Sequence, residues 1–241
     1  MLKQIDVFLK NSNIERLYAS LSVKLHGCLM DMIEPALAAE LHSENVHPFS
    51  IYVYEKQGCH VLRLSILNER MTPLINACLN AKAFHVTGVS GDIEVIKTIV
   101  FPNVDVMELQ KTPPPRRVRI TFLSAATYKL ETEYRNWFSL YYLLNSVAIK
   151  LRKYEGIGYS DEFLALTVKC TDITEYSLFS RDFDISRGEK INGFIGDVTL
   201  ANVKNAEYSA ALILLLRYAG YTGLGAKTAL GMGGVVLEEL S

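Results

Sequence analysis

Gly223-Leu-Gly-Ala-Lys-Thr-Ala-Leu-Gly-Met-Gly-Gly234 is the densest glycine run in this 241-residue chain, five glycines in twelve residues. Its order is G-h-G, five residues, G-h-G, where h is Leu224 or Met232 and Lys227-Thr228 lies in the spacer. Without a Cβ, such residues let backbone N–H groups come close to a ligand, and a concave amide surface suits oxyanions. The competing reading is two glycine turns with a bulge leading into a strand. Residues 220–228 also read G-x-x-x-x-G-A-K-T, one residue off a P-loop. A P-loop needs a strand before it and a helix after it, so that the helix N-terminus faces the phosphate. Here a helical pattern over 205–219, with Ala206, Ala210, Leu214 and Leu215, precedes the glycines, and a strand over 235–237 follows. The order argues against a nucleotide site.

Working back from that loop, 118–122, 163–168 and 194–200 read as strands. Residues 133–154 read as one long helix rich in Trp137, Phe138, Leu140, Tyr141, Leu144, Val147, Ala148 and Leu151. A weakly patterned stretch with Asp172, Asp182 and Asp184 joins the last two strands. Further back stand Pro102 and the run Thr112-Pro-Pro-Pro115. Three consecutive prolines fit neither a helix nor a central strand, so the domain break is placed there, with units 1–111 and 116–241.

The first unit opens with an alternating strand over 5–9, punctuated at 11–13. Leu17, Leu21, Leu25, Cys28, Leu29, Met32 and Ile33 then recur at helical steps. Pro35 restarts a helix that runs to His42. Residues 49–54 and 61–67 form a hairpin around Lys56-Gln57-Gly58. A short helix over 72–79 follows, with Thr72 as N-cap and Pro73 at its first position. Strands over 84–87 and 93–100 complete the set. The order is β-α-β-β-α-β, and it recurs in the second unit. The fold class expected is α+β, two tandem ferredoxin-like (RRM-like) domains.

Apolar residues make up 49% and charged residues 21%, the balance of an ordinary core-forming protein. Net charge is −1, so any polyanion must be met by a local basic surface. Residues 111–155 supply one, with nine Lys and Arg against three Asp and Glu, a net of +6. That block includes Arg116, Arg117, Arg119, Lys129, Arg135 and Lys150. The alternative is a solvated helix face plus a basic linker. The four cysteines, Cys28, Cys59, Cys78 and Cys170, form no C-x-x-C pair, which speaks against a zinc or redox motif and for a reduced cytoplasmic setting. No signal-peptide pattern opens the chain, and the most apolar run, 210–216, is shorter than the about 20 residues that span a bilayer, so no membrane partner is expected. His26, His42 and His47 bracket the end of the first helical region, and imidazole can take and return a proton near neutral pH. His60 and His85 fall on strands and read as structural. No H-x-x-x-H spacing or paired carboxylate points to a metal, and no cofactor is expected.

Taken together, these parts resemble the CRISPR-associated repeat-processing endoribonucleases of the RAMP superfamily. The glycine run is similar to that superfamily's C-terminal G-h-G-x5-G-h-G loop with a basic residue in the spacer. Gly193-Phe-Ile-Gly-Asp-Val-Thr-Leu200 resembles the hairpin before its last helix. Leu25-His-Gly-Cys-Leu-Met30, Glu34-Pro-Ala-Leu-Ala-Ala-Glu-Leu-His42 and Pro48-Phe-Ser50 are similar to its N-terminal signature. The resemblance implies metal-independent cleavage of precursor CRISPR RNA within each repeat. A ribose 2′-OH attacks the adjacent phosphate and leaves a 5′-OH and a 2′,3′-cyclic phosphate (or 3′-phosphate). By position it makes His42 the catalytic histidine. The second group in the family is often a Tyr of the first helix or a nearby Lys. The helix here offers His26, Tyr18 and Lys24, and His47 stands before Pro48-Phe49, so His26 and His47 are the candidate partners. The glycine loop then contacts RNA, through Lys227 and Thr228 with Gly223, Gly225, Gly231 and Gly233, and Arg116, Arg117 and Lys129 extend the track. The partner implied is CRISPR repeat RNA, with effector-complex subunits and a second copy of the chain as further candidates. Two other readings stand beside the enzyme: a non-cleaving RNA-binding subunit of an effector complex, and an unrelated ferredoxin-like module.

Overall fold

The computed structural model of the chain describes residues 1–10, 14–87, 91–186, 188–201 and 205–240, with the backbone alone at 14–20 and 186. The punctuation expected at 11–13 and the side chains of Leu17 and Tyr18 lie outside the described residues.

In the first half, β1 (Lys3–Lys10), α1 (Ile14–Asp31), α2 (Pro35–Ser43), β2 (Phe49–Lys56), β3 (Cys59–Ile66), α3 (Thr72–Asn80), β4 (Ala83–Phe84) and β5 (Ile93–Val100) follow in order. The sheet order is β2-β3-β1-β5-β4, antiparallel throughout. The two-residue period of β1 explains its place. Ile5, Val7 and Leu9 face one core with Leu21, Leu25 and Leu29 of α1 and Leu74 of α3. On the other face lie Asp6 and Phe8. Asp6 is wholly buried, and its carboxylate accepts from Arg63 at 2.7 Å and from the Tyr54 hydroxyl at 2.8 Å. α2 begins on Pro35, where a missing N–H costs nothing, and ends with His42 in its last turn.

After α4 (Glu108–Lys111), the second half holds β6 (Arg117–Ala126), β7 (Tyr128–Leu130), β8 (Glu133–Arg135), α5 (Leu140–Glu155), α6 (Asp161–Lys169), β9 (Asp172–Ser186), β10 (Glu189–Ala201), α7 (Ala206–Thr222) and β11 (Val235–Leu240). Its main sheet runs β11-β6-β10-β9. In both sheets the first long strand lies between the third and the last, as a ferredoxin-like order requires. The α+β expectation of tandem βαββαβ units holds.

Four local expectations need correction. Residues 133–139 are not helical: β7 and β8 form a hairpin turned by Glu131 at φ +56°, and α5 starts only at Leu140. Trp137 and Phe138 precede the helix and pack edge-on, Trp137 with Tyr128 and Phe138 with Phe122 and Phe194. Residues 163–168 form a helix, not a strand. Ser160 Oγ accepts from the Phe163 N–H, Asp161 and Glu162 occupy the first turn, and Lys169 the last, all favourable to the helix dipole. The weakly patterned segment is β9, paired with β10 along most of its length. Thr72 is the first residue of α3 and not its cap, because a 3-10 turn at Glu69–Met71 leads directly into it.

The halves meet through shared core and cross-bonds. Leu2, Leu67 and Val106 pack into the second half's core. Ser50 Oγ donates to the Tyr221 carbonyl at 2.6 Å, and the Ile51 N–H to the Thr228 carbonyl at 3.0 Å.

Candidate active site

A cleft of ≈ 550 Å³ opens between the halves where α1, α2 and the 44–47 loop face α5, the β7–β8 hairpin and the glycine run. His26, His42, His47, Lys129, Lys150, Lys227 and Thr228 all line it. Three histidines and Lys227, 180 or more residues apart in sequence, are thus brought together.

α1 carries His26 on the turn beside buried Leu25 and Leu29, which fixes the direction of the ring. The ring stacks on Phe49, centroids 5.9 Å apart at 13°, and meets the His42 ring edge-on at 6.4 Å. His47 also leans on Phe49, centroids 5.8 Å apart and tilted by 59°. Phe49 therefore orders two of the three imidazoles. Burial pushes the His26 pKa down to about 4, and the neighbouring His47 and His42 push the same way. Burial also lowers His47, against the pull of the Glu44 carboxylate. Both rings are neutral at neutral pH and able to accept a proton. Their Nδ1 atoms are buried without a hydrogen-bond partner. His42 is exposed at the end of α2.

The loop that carries His47 is held by the second half. Lys153 Nζ donates to the Val46 carbonyl at 2.9 Å and pairs with Glu44 at 3.2 Å. The Tyr154 hydroxyl also donates to the Val46 carbonyl. Arg70 closes on Glu44 from the first half at 2.9 Å. Burial would raise the Glu44 carboxyl, but hydrogen bonds from Arg70 and Lys153 outweigh it and hold the group below the usual carboxylate range.

The glycine run is built differently from an amide cradle. The Gly225 N–H donates to Ser146 Oγ, the Ala226 N–H to the Thr127 carbonyl, and the Gly234 N–H to Ser124 Oγ, each at 2.8 Å. The Gly233 N–H donates to the Ala125 carbonyl at 2.9 Å. These amides are spent on the protein, so they are not free for an oxyanion. Close approach is what the glycines provide. A Cβ on Gly225, at φ +95°, would stand 2.0 Å from the Thr127 carbonyl oxygen, and one on Gly231, at φ +115°, would stand 2.1 Å from Ser22 Cβ. Gly223, Gly225, Gly231 and Gly233 are all buried. Burial and close approach make these four a scaffold around Lys227, which is exposed at the rim with φ +58°.

Lys150, which in sequence counts only as one charge of the basic block, is turned inward. It is 7% exposed, and its ammonium donates to the Thr222 carbonyl at 2.7 Å and to Thr228 Oγ1 at 2.6 Å. Thr228 is buried under it. Burial lowers the Lys150 pKa to about 7. A signal was present: Lys150 follows Leu143 and Val147 on the apolar stripe of α5, where a charge must be turned inward. Lys129 is exposed on the hairpin with its ammonium 6.0 Å from the Tyr134 ring centre. Arg116 and Arg117 are not brought to the cleft. They stand at the start of β6, outside the cleft lining, and Arg117 is paired with Glu175 at 2.6 Å. Among the described residues, no group of three or more His, Cys, Asp or Glu side chains is arranged to hold a metal ion. Among the described residues, no helix is long and apolar enough to cross a membrane.

The model of the CRISPR-associated endoribonuclease Cas6 family matches residues 120–235, from β6 to the start of β11. Two curated Cas6 endoribonucleases align along nearly the whole chain. The one from Mycobacterium tuberculosis is 22% identical over 249 residues, covering 99% of this chain and 77% of that protein. The one from Streptococcus thermophilus is 24% identical over 228 residues, covering 91% and 92%. The chain is thus similar to Cas6 endoribonucleases along nearly its whole length. A solved Cas6 product complex shares its fold, with a TM-score of 0.82 at 19% identity over 98% of this chain and 99% of that one. The part matched by the Cas6 model contains Lys129, Lys150 and the glycine run, while His26, His42 and His47 lie before it.

Proposed function

We propose that this chain cleaves precursor CRISPR RNA within its repeats by metal-independent transesterification in the interdomain cleft. The observation that carries the reading is the convergence of His26, His42, His47 and Lys227 on one opening. In the proposed step a base takes the 2′-OH proton, the 2′-oxygen attacks the adjacent phosphorus, and the bond to the 5′-oxygen breaks as that oxygen gains a proton. The products are a 2′,3′-cyclic phosphate and a 5′-OH. His26, held neutral by burial, suits the accepting role. His42, exposed beside it, suits the return of a proton to the leaving oxygen. His47 flanks the pair, and the Lys227 ammonium suits the charge that builds on the phosphorane. A cation placed by a scaffold does not need to reorganise during reaction, which is why the buried glycines matter to the chemistry.

The same reading takes 1–111 and 116–241 as the two units and repeat RNA as the partner. The four cysteines are all free, which supports a reducing cytoplasmic setting. The test is incubation with repeat RNA in EDTA, beside an RNA with a single 2′-deoxy at the cut site. Cleavage of the first and not the second supports the reading. Binding without cleavage of either would make the chain a non-cleaving subunit.

A further inference from the structure

The β7–β8 hairpin and the residue that follows it lie outside the chemistry just described, yet they adjoin it. Trp137 is the chain's single tryptophan and is 53% exposed. The Arg135 guanidinium carbon lies 5.3 Å from its ring centre, and Tyr128 meets it edge-on at 6.2 Å. Lys129 and Tyr134, a second cation–aromatic pair on the same hairpin, line the cleft itself. The hairpin is anchored at its root. Thr127 Oγ1 donates to the Arg135 carbonyl at 2.8 Å, and the Thr127 carbonyl receives the Ala226 N–H of the glycine run. Asn136 Nδ2 donates to Asn192 of β10. Arg135 is paired with Glu133 at 2.6 Å, and its Nε is buried without a partner.

A large ring left open to water, ordered from below and flanked by cations, is the arrangement on which bases stack, because every base has a π-face and a phosphate on each side of it. On the opposite face of the same hairpin, Lys129 lines the cleft with Lys227 and supplies charge complementary to those phosphates. We propose that Trp137, backed by Tyr128 and Arg135, forms a stacking shelf for an unpaired nucleotide of the RNA that adjoins the cut. The inference rests on the endoribonuclease reading and extends it to where the flanking strand lies.

The single tryptophan makes the test direct. Repeat RNA carrying the 2′-deoxy substitution is titrated into the protein while tryptophan emission is followed. The shelf predicts quenching that saturates with binding. Trp137→Ala should weaken binding about 5- to 100-fold, the range of one stacked base, with the salt slope unchanged, and Trp137→Phe should recover most of the loss. Lys129→Ala should instead lower the salt slope. If the protein cleaves unmodified repeat RNA while emission stays constant and Trp137→Ala binds like the parent, the shelf is overturned and the enzyme reading stands. If emission responds to protein concentration and not to RNA, the ring belongs to an interface between copies and the shelf is overturned. If repeat RNA is neither bound nor cleaved, the parent reading fails and the shelf with it.

Discussion

Replacing Gly231 with alanine asks most sharply whether the glycine run is packing or ligand surface. Gly231 sits at φ +115°, and a Cβ there would lie 2.1 Å from Ser22 Cβ. Ser22 cannot easily yield, because it is buried on α1 and its hydroxyl accepts from the Val53 N–H at 3.2 Å. The backbone conformation alone costs an alanine about 1–3 kcal/mol, and forcing the extra carbon into a packed contact costs about 1–3 kcal/mol more. Together that is on the order of 2–6 kcal/mol, a large share of the about 5–15 kcal/mol that stabilises a domain. At about 2–4 °C per kcal/mol for a chain of this size, Tm should fall by roughly 5–20 °C. Gly220→Ala is the matched control, since its Cβ would meet nothing within 4 Å inside α7. It should leave Tm unchanged or raise it, by up to about 1 kcal/mol of helix propensity. Calorimetric or circular-dichroism melts decide the matter. A Gly231→Ala protein that melts within about 2 °C of the parent but binds RNA poorly would refute the scaffold argument and return the glycine to the ligand surface.

Four further outcomes follow from the cleft. His26 binds its proton only below about pH 4 when folded but near 6.5 when unfolded, so the unfolded chain holds more protons in between. Stability should fall by roughly 3 kcal/mol as pH drops through that window, and His26→Gln should flatten the urea-measured decline. Lys150 works in the opposite range: folded it loses its proton at about pH 7, unfolded at 10.5. Stability should therefore rise with pH between those values, and Lys150→Met should remove the rise, read from urea midpoints across the interval. Lys227→Ala should weaken RNA binding and lower the slope of log K against log salt by about 0.7–0.9, one contact's worth; an unchanged slope would dismiss the phosphate contact. Phe49→Ala removes the ring that orders His26 and His47, and should cost about 3–5 kcal/mol of stability as well as cleavage rate; full cleavage activity in the folded variant would show that the stacking is not needed.

Periodicity made most of the architecture legible. The leucine steps of α1, the restart at Pro35 and the strand alternation of β1 to β3 are local patterns, and local patterns survive in sequence. The errors fell where one pattern serves two structures. Trp137 and Phe138 extend a helical repeat, yet a positive-φ turn at Glu131 had already committed the chain to a hairpin. Residues 163–168 look strand-like by composition, but the Ser160 cap and the acidic first turn that make α6 lie just upstream of them. For the site, residue types were readable and spending was not. The glycine spacing showed that the backbone comes close to something. Only the fold shows that Ser146, Thr127 and Ser22 are what it approaches. Nine basic residues in one block suggested a track, but Arg117 and Arg119 are neutralised by Glu175 and Glu238 from distant strands. Lys150 was counted as surface charge and is buried.

The central claim is that the histidine cleft performs the chemistry, and one comparison tests it most directly. The parent protein and His42→Ala are incubated with repeat RNA in EDTA, with product ends and bound fraction measured in the same samples. The account predicts that the parent yields 5′-OH and 2′,3′-cyclic phosphate ends, while His42→Ala binds the RNA as the parent does and cleaves it at least about 100-fold more slowly, the scale of one lost proton-transfer group. Equal cleavage rates for the two proteins would contradict it.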